Sequence, residues 1–145
     1  MKAFYSMVFA LAAGVIVVPC YGKDAAAEEA ACLKAYHKVH EQLAKDDLPA
    51  AQKAATELAA KADAAKSESL AKHARELAKS SSLDSVREHF KAVSQDCIKM
   101  AEGIEGQHLF HCPMVKADWL QTDMKVSNPY MGKKMPDCGA LKKKK

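Results

Sequence analysis

The residues best suited to chemistry are concentrated in one stretch near the C-terminus, from Gln107 to Gly139. This stretch contains two of the five cysteines and four of the seven methionines of the chain. A thiol, a thioether and a proline lie at each end, in the sequences CPM and MPDC. Thiolate and thioether sulfur are the soft ligands that Cu(I) prefers. The pattern therefore predicts a Cu(I) site, whose expected ligands are Cys112, Met114, Met135 and Cys138, with His111 as an extra or alternative ligand.

Other uses of these residues remain open at this point. Zn(II) favours four ligands at spacings such as CxxC, and a c-type haem requires CxxCH; neither motif is present. A disulfide between Cys112 and Cys138 is the main alternative, and the two states could alternate, with copper bound only while the thiols are reduced. His37 and His40 stand three apart and are either surface residues or a second metal-binding pair.

The N-terminus predicts export. Lys2 precedes an uncharged, mostly apolar run from Ala3 to Val18, which is short for a membrane span and is followed by a charged stretch. We interpret residues 1–22 as a signal peptide, cut after Gly22 or alternatively after one of the alanines 25–27. The mature protein is then expected in the periplasm or an equivalent space, without stable insertion in the membrane.

The region from Ala25 to Glu102 is strong helix-forming material, rich in alanine, leucine, lysine and glutamate and free of glycine. Apolar residues recur at spacings of three and four, most regularly from Leu83 to Ile104. The predicted helices span about 25–45, 48–65, 67–79 and 83–104. Because the connections are short, the predicted fold is an all-α, up-down-up-down four-helix bundle occupying residues 23–106.

That topology makes a prediction for the remaining cysteines. Cys32 lies near the start of the first helix and Cys97 near the end of the fourth, so antiparallel packing puts both thiols at one end of the bundle. In an oxidising compartment an even set of cysteines suggests disulfides. We therefore predict a Cys32–Cys97 disulfide; the alternative is two reduced cysteines packed in the core.

Beyond Gly106 the helical pattern ends, because prolines and glycines divide the chain into turns. The prediction for residues 107–139 is an irregular sulfur-rich loop that packs on the bundle through Trp119 and its apolar neighbours, with residues 140–145 as a disordered lysine tail. Lys142 to Lys145 account for the whole formal charge of +4. No basic face is interleaved with aromatic residues, which argues against nucleic acid as a partner.

Several motifs occur in an order that resembles a known family. The chain reads YHKVHEQLAKDDLPAA early on, then CPM, ADWLQ, NPYMGKKM and CG. This pattern is similar to a small bacterial domain of uncharacterised function that is found alone in exported proteins and also joined to the adaptor subunits of copper and silver efflux pumps. The resemblance covers roughly residues 32–139. It implies a helical-bundle domain connected with copper or silver handling, with Cys112, Met114, Met135 and Cys138 as candidate ligands and Asn128–Gly132 as the turn that presents them.

Three functions follow as hypotheses. The first is a periplasmic protein that binds Cu(I), or Ag(I), for buffering, delivery or efflux, with an efflux adaptor or another periplasmic copper protein as partner. The second is an envelope interaction module without metal, stabilised by two disulfides. The third, which the residues support least, is a thiol oxidoreductase using Cys112, because no second cysteine lies nearby in sequence to act as a resolving thiol. We therefore do not expect an enzyme.

Overall fold

The computed structural model describes residues 21–142, which form four helices followed by a small antiparallel sheet. The helices span Tyr21–Ala44 (α1), Leu48–Ala64 (α2), Glu68–Ala78 (α3) and Leu83–Met100 (α4). The predicted number and order of helices are confirmed, and α4 ends four residues earlier than expected. Residues 1–20 of the predicted signal peptide lie outside the described residues. None of the described helices is both long and apolar enough to cross a membrane.

Local chemistry explains where the helices begin. The Asp47 carboxylate accepts a hydrogen bond from the Ala50 N–H at 3.0 Å, with proline in the first turn of α2. The Ser82 hydroxyl accepts one from the Ser85 N–H at the start of α4. Such caps satisfy backbone donors that have no partner within the helix.

Consecutive helices pack against each other. Lys38 of α1 pairs with Glu57 of α2, and Arg75 of α3 pairs with Asp63. Between α3 and α4, His73 contacts Asp96. The face of α2 that is buried consists of alanines and one leucine, which permits close approach of its neighbours; these residues are Ala51, Ala54, Ala55, Leu58, Ala59 and Ala62.

The C-terminal segment contains a sheet, so the prediction of an all-α chain with an irregular terminal loop is wrong here. Strands β1 (His108–Cys112), β2 (Ala117–Gln121) and β3 (Ala140–Leu141) pair antiparallel in the order β2-β1-β3. The start of the predicted disordered tail is thus ordered as β3, whereas residues 143–145 lie outside the described part. Prolines and glycines do break the segment, but strands this short fit between them.

Aromatic packing joins the sheet to the helices. The Tyr36 ring stacks on Phe90 at a centroid distance of 5.2 Å, and the Trp119 ring lies 5.5 Å from Phe110. Tyr130 contacts both Phe90 and Trp119. The buried Tyr36 hydroxyl bonds Ser94 and accepts from the Leu120 N–H of β2. The sheet is therefore fixed to α1 and α4, and Trp119 anchors the segment as predicted.

Candidate metal centre

The two sulfur-bearing ends of the C-terminal segment meet. Cys112 is the last residue of β1, and Cys138 lies just before β3, which pairs with β1 through His111 and Ala140. This pairing brings the two Sγ atoms to 3.6 Å from each other, although the residues are 26 positions apart in sequence. The sheet, rather than a flexible loop, thus positions the two thiols.

A separation of 3.6 Å between the sulfur atoms suits two chemical states. It is far longer than the ~2.05 Å of a disulfide bond. Two thiolates bound at ~2.3 Å to one tetrahedral ion would lie about 3.8 Å apart. The reduced pair is therefore spaced as two ligands of one ion, and a small movement would also let it close into a disulfide.

The two thiols differ in their readiness to lose a proton. Burial raises the pKa of the Cys112 thiol, but hydrogen bonds from the Val115 N–H, the Asn128 side chain, Cys138 and the Met114 N–H outweigh burial and lower it overall. The hydrogen bond to Cys112 raises the pKa of the Cys138 thiol. Cys112 is therefore the thiol of the pair that loses its proton more readily, because its deprotonated sulfur is stabilised by hydrogen bonds.

Asn128 holds the two ends together. It is the only asparagine of the chain and is completely buried. Its Oδ1 accepts from the N–H groups of Tyr130 and Met131 at 2.8 and 3.0 Å, and its Nδ2 donates to the carbonyl oxygen of Cys138. Its own N–H donates to the carbonyl of Pro136 at 2.9 Å. The Asn128–Gly132 turn therefore closes the segment around the cysteine pair. The sequence predicted this turn but not the central role of the Asn128 side chain in it. The available signal for that role was a single asparagine placed before proline.

The turn is fastened to the helices by charge. The Arg87 side chain donates to the carbonyl of Pro129 at 3.0 Å and pairs with Asp46, which in turn accepts from the Lys133 N–H at 3.1 Å. Gly132 has a φ of +53°, and a Cβ at this position would overlap the Asp46 carboxylate. A glycine is required here for both reasons.

Gly139 lies against the Trp119 ring on the other side of the pair. A Cβ at this position would be 2.5 Å from Cη2 of that ring. The close approach lets the backbone after Cys138 pass over Trp119 and enter β3. The CG motif is thus explained by packing beside the site.

The two predicted methionine ligands lie at the surface beside the cysteines. The Met114 side chain is 65% exposed and that of Met135 is 39% exposed. The backbone of each contacts a cysteine: the Met114 N–H donates to the Cys112 sulfur, and the Met135 carbonyl accepts from the Cys138 N–H at 3.2 Å. Their thioethers are therefore exposed to solvent and lie close to the cysteines in the sequence.

His111 does not belong to this set. Side chains alternate between the two faces of a strand, so His111 points away from the face that carries Cys112. Its Nδ1 bonds the Asp118 carboxylate directly across the β1–β2 pair at 2.6 Å. Burial raises the pKa of Asp118, yet hydrogen bonds from Lys142 and His111 lower it overall. The strand geometry therefore argues against His111 as a ligand together with Cys112, a prediction that was made for a loop rather than for a strand.

Cys32 and Cys97 are free thiols in the structure, where the sequence analysis expected a disulfide. Both are completely buried, and burial is the main cause that raises the pKa of each. Each therefore packs as a small apolar group between helices. The charge of Cys32 also raises the pKa of Cys97, which agrees with their predicted placement at one end of the helices.

The histidines of α1 are engaged separately. Nε2 of His37 bonds Gln107 at 2.8 Å, and Nε2 of His40 bonds the carbonyl of Ser127 at 2.7 Å. Burial lowers the pKa of His40 to about 4. Within residues 21–142, no three His, Cys, Asp or Glu side chains come together in a way that could hold a metal ion. The candidate centre is instead a pair of thiols flanked by thioethers.

Comparison with known proteins identifies a family for the helical part of the chain. The model of a family described as protein of unknown function (DUF3347) matches residues 32–108, more than half of the chain. No curated protein and no solved structure is significantly similar to the chain. The match begins within α1, covers α2 to α4 and reaches the first residue of β1. The chain belongs to the DUF3347 family.

Proposed function

We propose that this DUF3347 protein binds Cu(I), or the chemically similar Ag(I), between Cys112 and Cys138. The observation that carries the proposal is the 3.6 Å separation of two sulfur atoms that the fold brings together from distant parts of the chain. Soft d¹⁰ ions accept few ligands and favour thiolate and thioether sulfur. The pair supplies the thiolates, and Met114 and Met135 supply thioethers beside it.

The partial exposure of the site favours transfer rather than permanent storage. Cys138 is half-buried and both methionines are exposed, so an incoming ligand from another protein can reach the ion. Exchange of one sulfur ligand for another moves Cu(I) without any change of oxidation state. We infer a binding protein, not an enzyme, that buffers Cu(I) in the periplasm or passes it to an efflux adaptor or another copper protein. The export signal remains part of this proposal.

The rest of the fold serves this role by holding the site rigid. In the proposal the four helices form the up-down-up-down bundle, and the Arg87–Asp46 pair fixes the turn that contains Asn128. Donors that are already in place lower the entropic cost of binding an ion. The two thiols thus fix the position of the ion, and the exposed thioethers of Met114 and Met135 adjust to it.

Titration of fully reduced protein with Cu(I), against a competing chelator, tests the proposal. We expect one ion per chain, with stoichiometric binding lost in Cys112→Ser and in Cys138→Ser. Met114→Ala and Met135→Ala should weaken binding about tenfold each, as loss of a supporting ligand typically does. Cys32→Ala is the matched control, because its thiol lies in the helical core and should not affect binding. Unchanged affinity in the double variant of Cys112 and Cys138 would refute this site.

A second candidate function rests on the same distance. The two thiols can close into a disulfide, which would cross-link a 26-residue separation and stiffen the terminal segment as a docking surface for an envelope partner. Mass spectrometry of protein isolated without reductant distinguishes the two. A Cys112–Cys138 bridge that survives mild reductant favours the interaction module, whereas free thiols or a bound ion favour the metal site.

A further inference from the structure

The two cysteines of the pair differ sharply in access to solvent. The side chain of Cys112 has no exposed surface, because β1 buries it under the Asn128 turn. Cys138 is half-buried and is followed by residues that are increasingly exposed. Of the two cysteines, only Cys138 therefore has surface that a reagent in solution can reach.

The Cys112 sulfur is held by hydrogen bonds. The N–H groups of Met114 and Val115 and the Asn128 side chain donate to it, and it also contacts the Cys138 sulfur. The only sulfur within bonding reach among the described hydrogen-bond contacts is that of Cys138, at 3.6 Å. This distance is close to the ~3–3.5 Å separation of reacting atoms in a near-attack arrangement.

We propose that the pair undergoes thiol–disulfide exchange in a fixed order, with Cys138 reacting first and Cys112 resolving. The sequence alone argued against this chemistry because no second cysteine lies near Cys112 in the chain. The fold supplies that second cysteine. Burial sets this order, because the buried Cys112 can react only with the neighbouring Cys138 and therefore acts as the resolving cysteine.

The reaction can be written with its atoms and electrons balanced. The Cys138 thiol loses its proton to solvent, and the thiolate attacks one sulfur of a small-molecule disulfide, RSSR. The RSSR bond breaks, one RS⁻ leaves with the electron pair, and a Cys138–SR mixed disulfide remains. The Cys112 thiol then loses its proton to solvent, and its thiolate attacks Sγ of Cys138, which breaks the bond from Cys138 to SR and releases the second RS⁻. Two cysteines are oxidised to one disulfide, and RSSR is reduced to two RSH that take up the two protons.

The second step should be much faster than the first. The attacking and accepting sulfur atoms are already in contact, so the reaction is intramolecular and needs only a small movement of the Cys138 turn. The mixed disulfide should therefore not accumulate in the native protein. If the proposed copper function also holds, the oxidised pair can no longer supply thiolates to an ion; this consequence, unlike the exchange itself, rests on that function.

The test uses reduced, metal-free protein and glutathione disulfide, with quenching by acid and analysis by intact mass and peptide mapping. The native chain should lose two thiols and form Cys112–Cys138 with no lasting adduct. Cys112→Ser should retain one glutathione on Cys138. Cys138→Ser should react at least tenfold more slowly, because the remaining thiol of the pair is buried. Equal rates of adduct formation in the two variants would overturn the proposed order.

A measurement on the native chain tests the same order without a substitution that could disturb folding. Brief exposure to dilute iodoacetamide should alkylate Cys138 at least tenfold faster than Cys112, with Cys32 and Cys97 unlabelled on the same timescale. Faster labelling of Cys112 would contradict the proposal. Fluorescence of Trp119, the only tryptophan, reports whether each variant keeps its packing beside the site. Because no copper is present, failure of the exchange and failure of the metal site are separate results.

Discussion

The helical region and the C-terminal segment are held together in different ways. The buried residues of α2 and α3 are alanine and leucine, which pack without directional bonds. The C-terminal segment buries Asn128 and Gln121, whose side chains bond the backbone at several points. Apolar packing tolerates small adjustments, whereas a buried amide requires each partner in place. The segment that must bring two distant sulfur atoms together is thus the one built from directional bonds.

The two regions meet at a small shared layer. The Tyr130 hydroxyl donates to the carbonyl of Asp118 at 2.8 Å, and its oxygen also contacts the Ser94 hydroxyl of α4 at 3.3 Å. Tyr36 of α1 reaches the same serine. We therefore expect substitutions in the helical core to lower stability without altering the site. Substitutions of Asn128 should alter both.

The largest loss of stability is expected from Leu58→Ala. Leu58 is completely buried in α2, far along the chain from the cysteine pair, and its truncation leaves a cavity. The free energy of unfolding should fall by about 2–5 kcal/mol, measured by urea denaturation. The Cu(I) affinity of the folded fraction should stay within about twofold of the native value. A clear loss of affinity would show that the two regions are not separable in the way proposed.

Asn128→Ala should lower both stability and affinity. It removes the side-chain hydrogen bonds to Tyr130, Met131, Cys138 and Cys112 and leaves buried partners unpaired, which should cost about 2–4 kcal/mol of unfolding free energy. The same change should weaken Cu(I) binding at least tenfold, because the two thiols lose their common support.

Asn128→Asp is the matched control for that experiment. It keeps an oxygen to accept from Tyr130 and Met131 but removes the Nδ2–H groups that donate to the Cys138 carbonyl and the Cys112 sulfur. Stability between the native and alanine values, with affinity as poor as in Asn128→Ala, would assign the positioning of the pair to the donated bond. Native affinity in both variants would contradict the role of this hub.

Gly139→Ala probes packing rather than hydrogen bonding at the site. The added methyl would meet the Trp119 ring at 2.5 Å, so either the ring or β3 must shift. We expect a loss of about 2 kcal/mol and a change in Trp119 fluorescence. Gly103→Ala is the control, because its φ is also positive but no atom lies within 4 Å of the new Cβ. Equal effects in both variants would attribute the cost to backbone strain alone.

A smaller effect is expected from acid, at the contact of α1 with the C-terminal segment. The pKa of His40 is about 4 in the folded chain, against an ordinary value of 6.5, because burial disfavours its charged form. Between these values the unfolded chain binds the extra proton, so stability falls as the pH drops from about 6.5 toward 4. The loss from pH 7 to pH 5 should be about 1–2 kcal/mol. Burial lowers the pKa of the neighbouring His37 too, which adds to the effect with the same sign.

His40→Gln should flatten this pH dependence, whereas His89→Gln should not, since His89 is well exposed on α4. The measurement is urea unfolding across the pH range for each variant. An unchanged slope in His40→Gln would show that other groups are responsible.

The helices were predictable because their signals are local. Spacings of three and four mark the buried face of α4, and Pro49, Ser82 and the glycines after Met100 mark the ends. The meeting of Cys112 with Cys138 was expected from the mirrored ends of the segment alone, and the structure supplies its cause in the β1–β3 pairing.

The strands were not predictable in the same way. β1 and β2 contain only five residues each and no β-branched residue, so neither length nor composition distinguishes them from a loop. Whether these residues form strands depends on pairing between positions that are distant in the sequence. The prediction of His111 as a ligand was made for a loop, whereas a strand fixes which side chains share a face.

The central claim is that two thiolates with thioether support form the site, without His111. Copper K-edge X-ray absorption of the reduced, Cu(I)-loaded protein tests this claim most directly. The account predicts a first shell of sulfur atoms only, with the sulfur contribution reduced when Cys112 or Cys138 is replaced by serine. Scattering from an imidazole ring, or a spectrum unchanged by both substitutions, would contradict it.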